Sequence, residues 1–378
     1  MSVLYHKVEP QLVKGDVGHD PLELLDFELV GANRKIVAGS VRFEGQVEVT
    51  QANVALAQED IKFDCRAGVA CFIESVTTSF SKVGQVEASN NYSRLIAMNS
   101  NAKESAWDMV NSDKSCELKS VDNVYSNALL RKPDVTTNPA GDNAYSHNPD
   151  FSHRLFTCLN RVSTSDKDGD NSIPMNKVGA VRVSIQLARV FDALHGMDCD
   201  ATTNFVIKNP TICFTSIPDD GSKSNLMMRV ESSIKSSLNS SHAVISTRVP
   251  VVANGCSVSF QQLDHESSPT YNNVTQEPLP ALTETVFLFN NASNEHITYT
   301  IRDRAEVLDN YLDSMKVMGG DLSTSTLQLL KANKSFGLGL PFEYIDLSKQ
   351  AFNIQLDSGV SNATPYTAYL YFHGIIEL

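Results

Sequence analysis

FIESVTTSFSKVGQVEASNNYSRLIAM, residues 72–98, reads as strand, polar turn, strand, helix. The first segment is rich in β-branched and aromatic residues, SKVG (81–84) supplies turn residues, and QVEASN (85–90) extends again. NYSRLIAM then gathers Tyr92, Leu95, Ile96 and Met98 toward one side behind Asn91, a residue suited to capping. The same order returns in TETVFLFN (283–290), NASNE (291–295), HITYTI (296–301) and RAEVLDNYLDSM (304–315). In the last of these, Val307, Leu308, Tyr311, Leu312 and Met315 form an apolar stripe after Asp303. A second pair of segments follows each block. IPMNKVGAVRVSIQL (173–187) and FVIKNPTICFTSI (205–217) are matched by YIDLSKQAFNIQL (344–356) and YTAYLYFHGIIEL (366–378). Two blocks in one order predict a duplicated domain.

Outward from these blocks, VRFEGQVEV (41–49) and AVISTRVPVV (243–252) read as further strands. Alternation in VRFEGQVEV and VRVSIQL predicts sheets with one buried face, and so a sandwich or barrel. IPDDGSKSN (217–225) has the composition of a linker. The expected division is an N-terminal arm over 1–26, a first domain over 27–218, a linker at 219–223 and a second domain over 224–378. The arm precedes the first clear strand, and its PLELLDF (21–27) is expected to pack under the first domain or a neighbouring copy. Polar stretches near 112–150 and 261–278 read as insertions that vary the outer surface.

A chain of 378 residues exceeds the size at which one hydrophobic core stops growing, which supports two domains. With 42% hydrophobic and 20% charged residues it has the composition of a folded protein. The net charge of −13 argues against a surface that wraps nucleic acid, and no sequence-specific nucleic-acid binding is expected. Cys65, Cys71, Cys116, Cys158, Cys199, Cys213 and Cys256 show no disulfide or zinc spacing and read as reduced core thiols. No segment has the pattern of a signal peptide or the ~18 apolar residues of a membrane span, so synthesis in a cytosol-like compartment without secretion is expected. The sequons at Asn91, Asn273 and Asn362 are then chance products of Ser and Asn richness.

The common catalytic fingerprints do not occur. Asp166-Lys-Asp168-Gly-Asp170-Asn171 resembles the start of a calcium loop, but Asn171 stands where glycine belongs and Lys177 where a bidentate glutamate belongs. A solvated turn is the better reading. His147 and His153 flank Asp150, and Asp264-His265-Glu266 forms another polar cluster; both read as exposed loops, and alanine at His153, His265 or, in the preceding turn, Asp168 is expected to leave folding and assembly largely intact. Cys158 and Cys213 read as small hydrophobes in strands, and Tyr92 and Trp107 as packing aromatics in place of stacking platforms. No catalytic, cofactor or metal residue is assigned.

Four stretches together resemble the double jelly-roll major capsid proteins of icosahedral DNA viruses and tailless phages. They are CRAGVACFIESVTTSFSKVGQVEASNNYSRLIAM (65–98), IPMNKVGAVRVSIQL through NPTICFTSIPDD (173–220), RVPVVANGCSVSFQQL (248–263) and TETVFLFNNASNEHITYTIRDRAEVLDNYL (283–312). The resemblance implies an all-β chain of two tandem eight-stranded jelly-roll sandwiches with a few short helices. It implies a homotrimer forming a pseudo-hexagonal capsomer that meets neighbouring capsomers, minor capsid or penton proteins and an internal membrane. The alternatives are a carbohydrate-binding or glycoside-cleaving double β-sandwich, which needs paired carboxylates across an aromatic-lined cleft, and a minor capsid or penton protein with one jelly roll.

Overall fold

The computed structural model of the protein describes residues 2–55, 61–64, 67–101, 128–129, 150–164, 171–221, 225–238, 242–249, 251–274, 282–290, 296–301, 304–318, 338–349, 351–358 and 365–378. Each half of the chain contributes eight main strands. In the first half they are, in chain order, Leu4–Val8, Leu24–Leu29, Arg42–Gln51, Ile73–Phe80, Gly84–Asn90, Asp150–Arg154, Val181–Leu187 and Thr203–Pro218. In the second they are Leu226–Leu238, His242–Thr247, Val252–Gln262, Leu282–Asn290, His296–Ile301, Leu338–Asp346, Ala351–Ser358 and Tyr366–Glu377. Both halves use the same arrangement, with strands 1-8-3-6 side by side in one sheet and 2-7-4-5 in the other. That order is a jelly roll.

The inward side chains follow from the period-2 pattern. In VRVSIQL (181–187), Val181, Val183, Ile185 and Leu187 are buried while Arg182 is exposed. Rings meet across the two sheets: Phe27 on strand 2 lies edge-on to Phe43 on strand 3 at 6.2 Å in the first half. Phe352 on strand 7 meets Phe372 on strand 8 at 4.9 Å in the second. Each such fully buried ring stabilises its sandwich by about 1.5–3 kcal/mol relative to exposure.

The repeated blocks of the sequence occupy the same positions in the two halves. SVTTSF and TETVFLFN are both strand 4, and each helix follows strand 5, as Tyr92–Asn101 and Arg304–Met318. Their packing differs. The first helix lies against Gly68–Phe72 and strand 4, whereas the second lies on Leu338–Asp346 and Val252–Gln262. A Cβ at Gly339 would fall 2.1 Å from Ser314 Oγ and 2.9 Å from Tyr311 Cα, so glycine lets this helix rest directly on the sheet.

Strand 5 of the first half and strand 1 of the second run parallel, with Ala88 opposite Ser232. Val162–Thr164 adds to the lower end of the same strand, opposite Leu226–Met228. One nine-stranded sheet therefore passes through both sandwiches. The parallel joint also fixes polarity. Connections 1–2, 3–4, 5–6 and 7–8 of both sandwiches leave from one end, the loop end, and connections 2–3, 4–5 and 6–7 from the other, the base.

Two expectations need correction. Residues 1–26 are not an arm outside the sandwich: Leu4–Val8 pairs antiparallel with Ile212–Ser216 as strand 1, and Leu24–Leu29 pairs with Val181–Gln186 as strand 2. The period-2 signal was obscured because Leu4 and Tyr5 are exposed on an edge. AVISTRVPVV is not one strand. It divides into His242–Thr247 and the start of Val252–Gln262, which lie in different sheets, around Pro250, a residue with no N–H to give a ladder.

Candidate functional site: the seam between the sandwiches

The parallel joint brings a row of polar side chains out of water. On Leu226–Leu238 the alternation puts Glu231 and Ser233 on the face continuous with Glu87 and Ser89 of Gly84–Asn90, and all four are buried. His373 Nδ1 lies 2.6 Å from Glu231 Oε2, and Arg161 Nη1 lies 2.7 Å from Glu231 Oε1. Burial disfavours the ionised form of Glu231, but His373 and Arg161 outweigh it and hold the carboxyl below its usual range. Glu87 takes N–H donors from Cys158 at 2.9 Å and Glu231 at 3.1 Å, yet burial, with the Glu231 charge adding to it, pushes this carboxyl up to about 7.

Glu87 makes stability depend on pH in a stated direction. Its pKa rises from 4.5 to about 7 on folding, so its contribution is complete below pH 4.5 and is lost as pH rises through 7. Glu87→Gln is expected to remove about 2–4 kcal/mol of the stability difference between pH 5 and pH 8, read from urea midpoints at the two pH values. An unchanged difference would show that Glu87 does not titrate in the fold.

His373 Nε2 lies 2.7 Å from Ser257 Oγ, so Ser257, His373 and Glu231 have the order of a nucleophile, base and acid. Their surroundings give them a different task. Ser257 is fully buried beneath the Arg304–Met318 helix, and its Oγ lies 2.8 Å from Ser314 Oγ, which donates to the Tyr311 carbonyl at 2.7 Å. Substrate has no approach, and the three side chains tie sheet to helix.

Nearer the loop end, the buried Arg94 of the first helix crosses to the second sandwich. It donates to Gln261 Oε1 at 2.6 Å and to the Asn273 carbonyl, and its guanidinium lies 4.3 Å from the centre of the Tyr369 ring. Asn273 accepts from Gln261 and Ser267 and donates to the Phe191 carbonyl, so this sequon side chain is engaged in the seam. Around it is a cavity of about 200 Å³ lined by Glu74, Asp192 and Glu266 with Arg94, Arg189 and Lys235 among others. Burial and the nearby Asp192 push Glu74 up to about 7, and burial raises Asp192 against the hydrogen bond from Ser267. Among the described residues Tyr369 is the one aromatic side chain lining this cavity, and the Arg94 guanidinium lies over its face.

The residues singled out in the sequence fall elsewhere. His153 is buried on strand 6, 3.0 Å from Tyr92 Oη, so the reading of an exposed loop histidine is corrected; Tyr92 is itself fully buried and accepts the Phe156 N–H. Asp264, His265 and Glu266 separate: Asp264 is exposed, His265 stacks on Tyr271 at 3.7 Å, and Glu266 receives Lys235, Thr367 and Tyr369. Cys158 lies in a 3-10 turn and Cys213 in a strand, and burial pushes both thiols up, away from thiolate chemistry. Asp166–Asp170, Trp107, His147, Cys65, Cys116, Asn362 and nearly all of the 112–150 insertion lie outside the described residues. The seam residues Glu87, Arg161, Glu231, Ser257 and His373 are far apart in sequence, and no spacing rule connects them.

No protein-family model matches the chain, and no curated protein matches it either. Solved structures do. VP54 of PBCV-1, fitted into a reconstruction of the virophage Sputnik, matches at TM-score 0.58 and 10% identity over 100% of this chain and 95% of that one. The Faustovirus major capsid protein matches at TM-score 0.59 and 7% identity, covering 100% and 90%. The STIV MCP matches at TM-score 0.52 and 7% identity, covering 100% and 97%. The fold of this chain is thus that of the double jelly-roll major capsid proteins.

Proposed function

We propose that the chain is the major capsid protein of an icosahedral virus, three copies forming a capsomer with a pseudo-hexagonal outline. The supporting observation is the seam: two sandwiches of one topology stand side by side with the same polarity, joined through a continuous sheet. Such a block has a base and a loop end, as a shell tile needs, and three of them supply six sandwiches about one axis. Its work is burial of interface area, for which no catalytic residue is required. The first sandwich comprises residues 4–218 and the second 226–378, with the linker between them. In the virion, capsomers meet one another, minor capsid or penton proteins and an internal membrane, after synthesis in the host cytoplasm.

Sedimentation of the purified chain tests this directly. A species of three times the chain mass is expected, and a monomer at micromolar concentration would remove the capsid reading.

A further inference from the structure

Within the chain, a strand 5 edge meets a strand 1 edge. Gly84–Asn90 ends the 2-7-4-5 series of the first sandwich, Leu226–Leu238 begins the 1-8-3-6 series of the second, and the two run parallel. Because the domains are duplicated, there is one more edge of each kind. Leu4–Val8, strand 1 of the first sandwich, pairs only with Thr203–Pro218, and His296–Ile301, strand 5 of the second, pairs only with Leu282–Asn290. Among the described residues neither has a second neighbour.

We propose that these two edges meet between copies: Leu4–Val8 of one chain lies parallel to His296–Ile301 of a second copy, repeating between chains the joint that links the sandwiches within one. This rests on the trimer reading above and names its contact. Three observations select a second copy as the occupant. The interface continues one already built into the chain, with the same pair of strand positions. The directions agree, since both edge strands run from the base toward the loop end, as the internal pair does, and copies related by an axis along the strands keep that sense. The strand 1 edge is also poorly protected, with Leu4 45% and Tyr5 66% exposed and Lys7 as its one charge, whereas isolated proteins blunt such edges. A contact between unlike surfaces closes into a ring when the rotation permits, and three chains then alternate internal and external joints around six sandwiches.

Paired cysteines test the contact. Strands about 4.8 Å apart bring facing Cα atoms into disulfide range, and the native cysteines among the described residues are all buried. Lys7→Cys combined with Thr298→Cys, and Lys7→Cys combined with Thr300→Cys, bracket the register. Under mild oxidation one of them is expected to give covalent dimers and trimers on non-reducing gels, absent from each single variant. Sedimentation of the same samples separates the possible failures. A trimeric mass without cross-linking in either pair overturns the edge contact and leaves the trimer standing. A monomeric mass for the unmodified chain overturns both.

Discussion

Replacing Glu231 by alanine is expected to destabilise the protein by about 3–5 kcal/mol, because His373 and Arg161 stay in the seam with no carboxylate between them. Glu231 is fully buried, so water cannot take its place without opening the joint between the sandwiches. The cost arises from the loss of the carboxylate that His373 and Arg161 both face in a buried site, and not from a large net worth of the ion pair. A triple variant, Glu231→Leu with His373→Leu and Arg161→Met, is therefore expected to recover most of the loss. Urea midpoints of the two variants decide the matter. A single variant within about 1 kcal/mol of the parent would mean that the cluster is hydrated and the seam open.

Deleting residues 2–9 removes strand 1 of the first sandwich. Its ladder runs over five opposed residues from Leu4–Ser216 to Val8–Ile212, and His6 stacks on Phe214 at 4.5 Å. At about 0.5–1.5 kcal/mol net for each backbone hydrogen bond, the truncated chain is expected to lose about 2–5 kcal/mol. Thr203–Pro218 would also become exposed as an edge, so soluble yield should fall with concentration. A truncated chain with the parent's urea midpoint would show that the segment is an appendage after all.

The duplication was readable because strands 4 and 5 and their helix carry strong local signals in both halves. Strand 1 of each sandwich was not. In LMMRVESSIKSSL (226–238), Glu231, Ser233 and Lys235 make one face look solvated, yet Glu231 and Ser233 are buried against the other sandwich. A pattern of alternation tells which face differs from its neighbour, but it does not distinguish solvent from a polar seam. Leu4–Val8 failed for the opposite reason, having apolar residues on an exposed edge. The seam chemistry was illegible because its members come from both sandwiches: the parallel joint brings Glu87 and Arg161 to Glu231, and the eighth strand adds His373.

The two ends of the second sandwich differ in their freedom to vary. Its strands are separated at the base by few residues, 248–251, 291–295 and 347–350, whereas the separations 263–281 and 302–337 that start from the opposite end are long. A short turn sets the register of the strands it joins, so an inserted residue there is paid for throughout the sheet. Lengthening at the loop end leaves that register untouched. New surface, whether gained by mutation or by an inserted peptide epitope, can accumulate at the loop end of the second sandwich while its base keeps its shape.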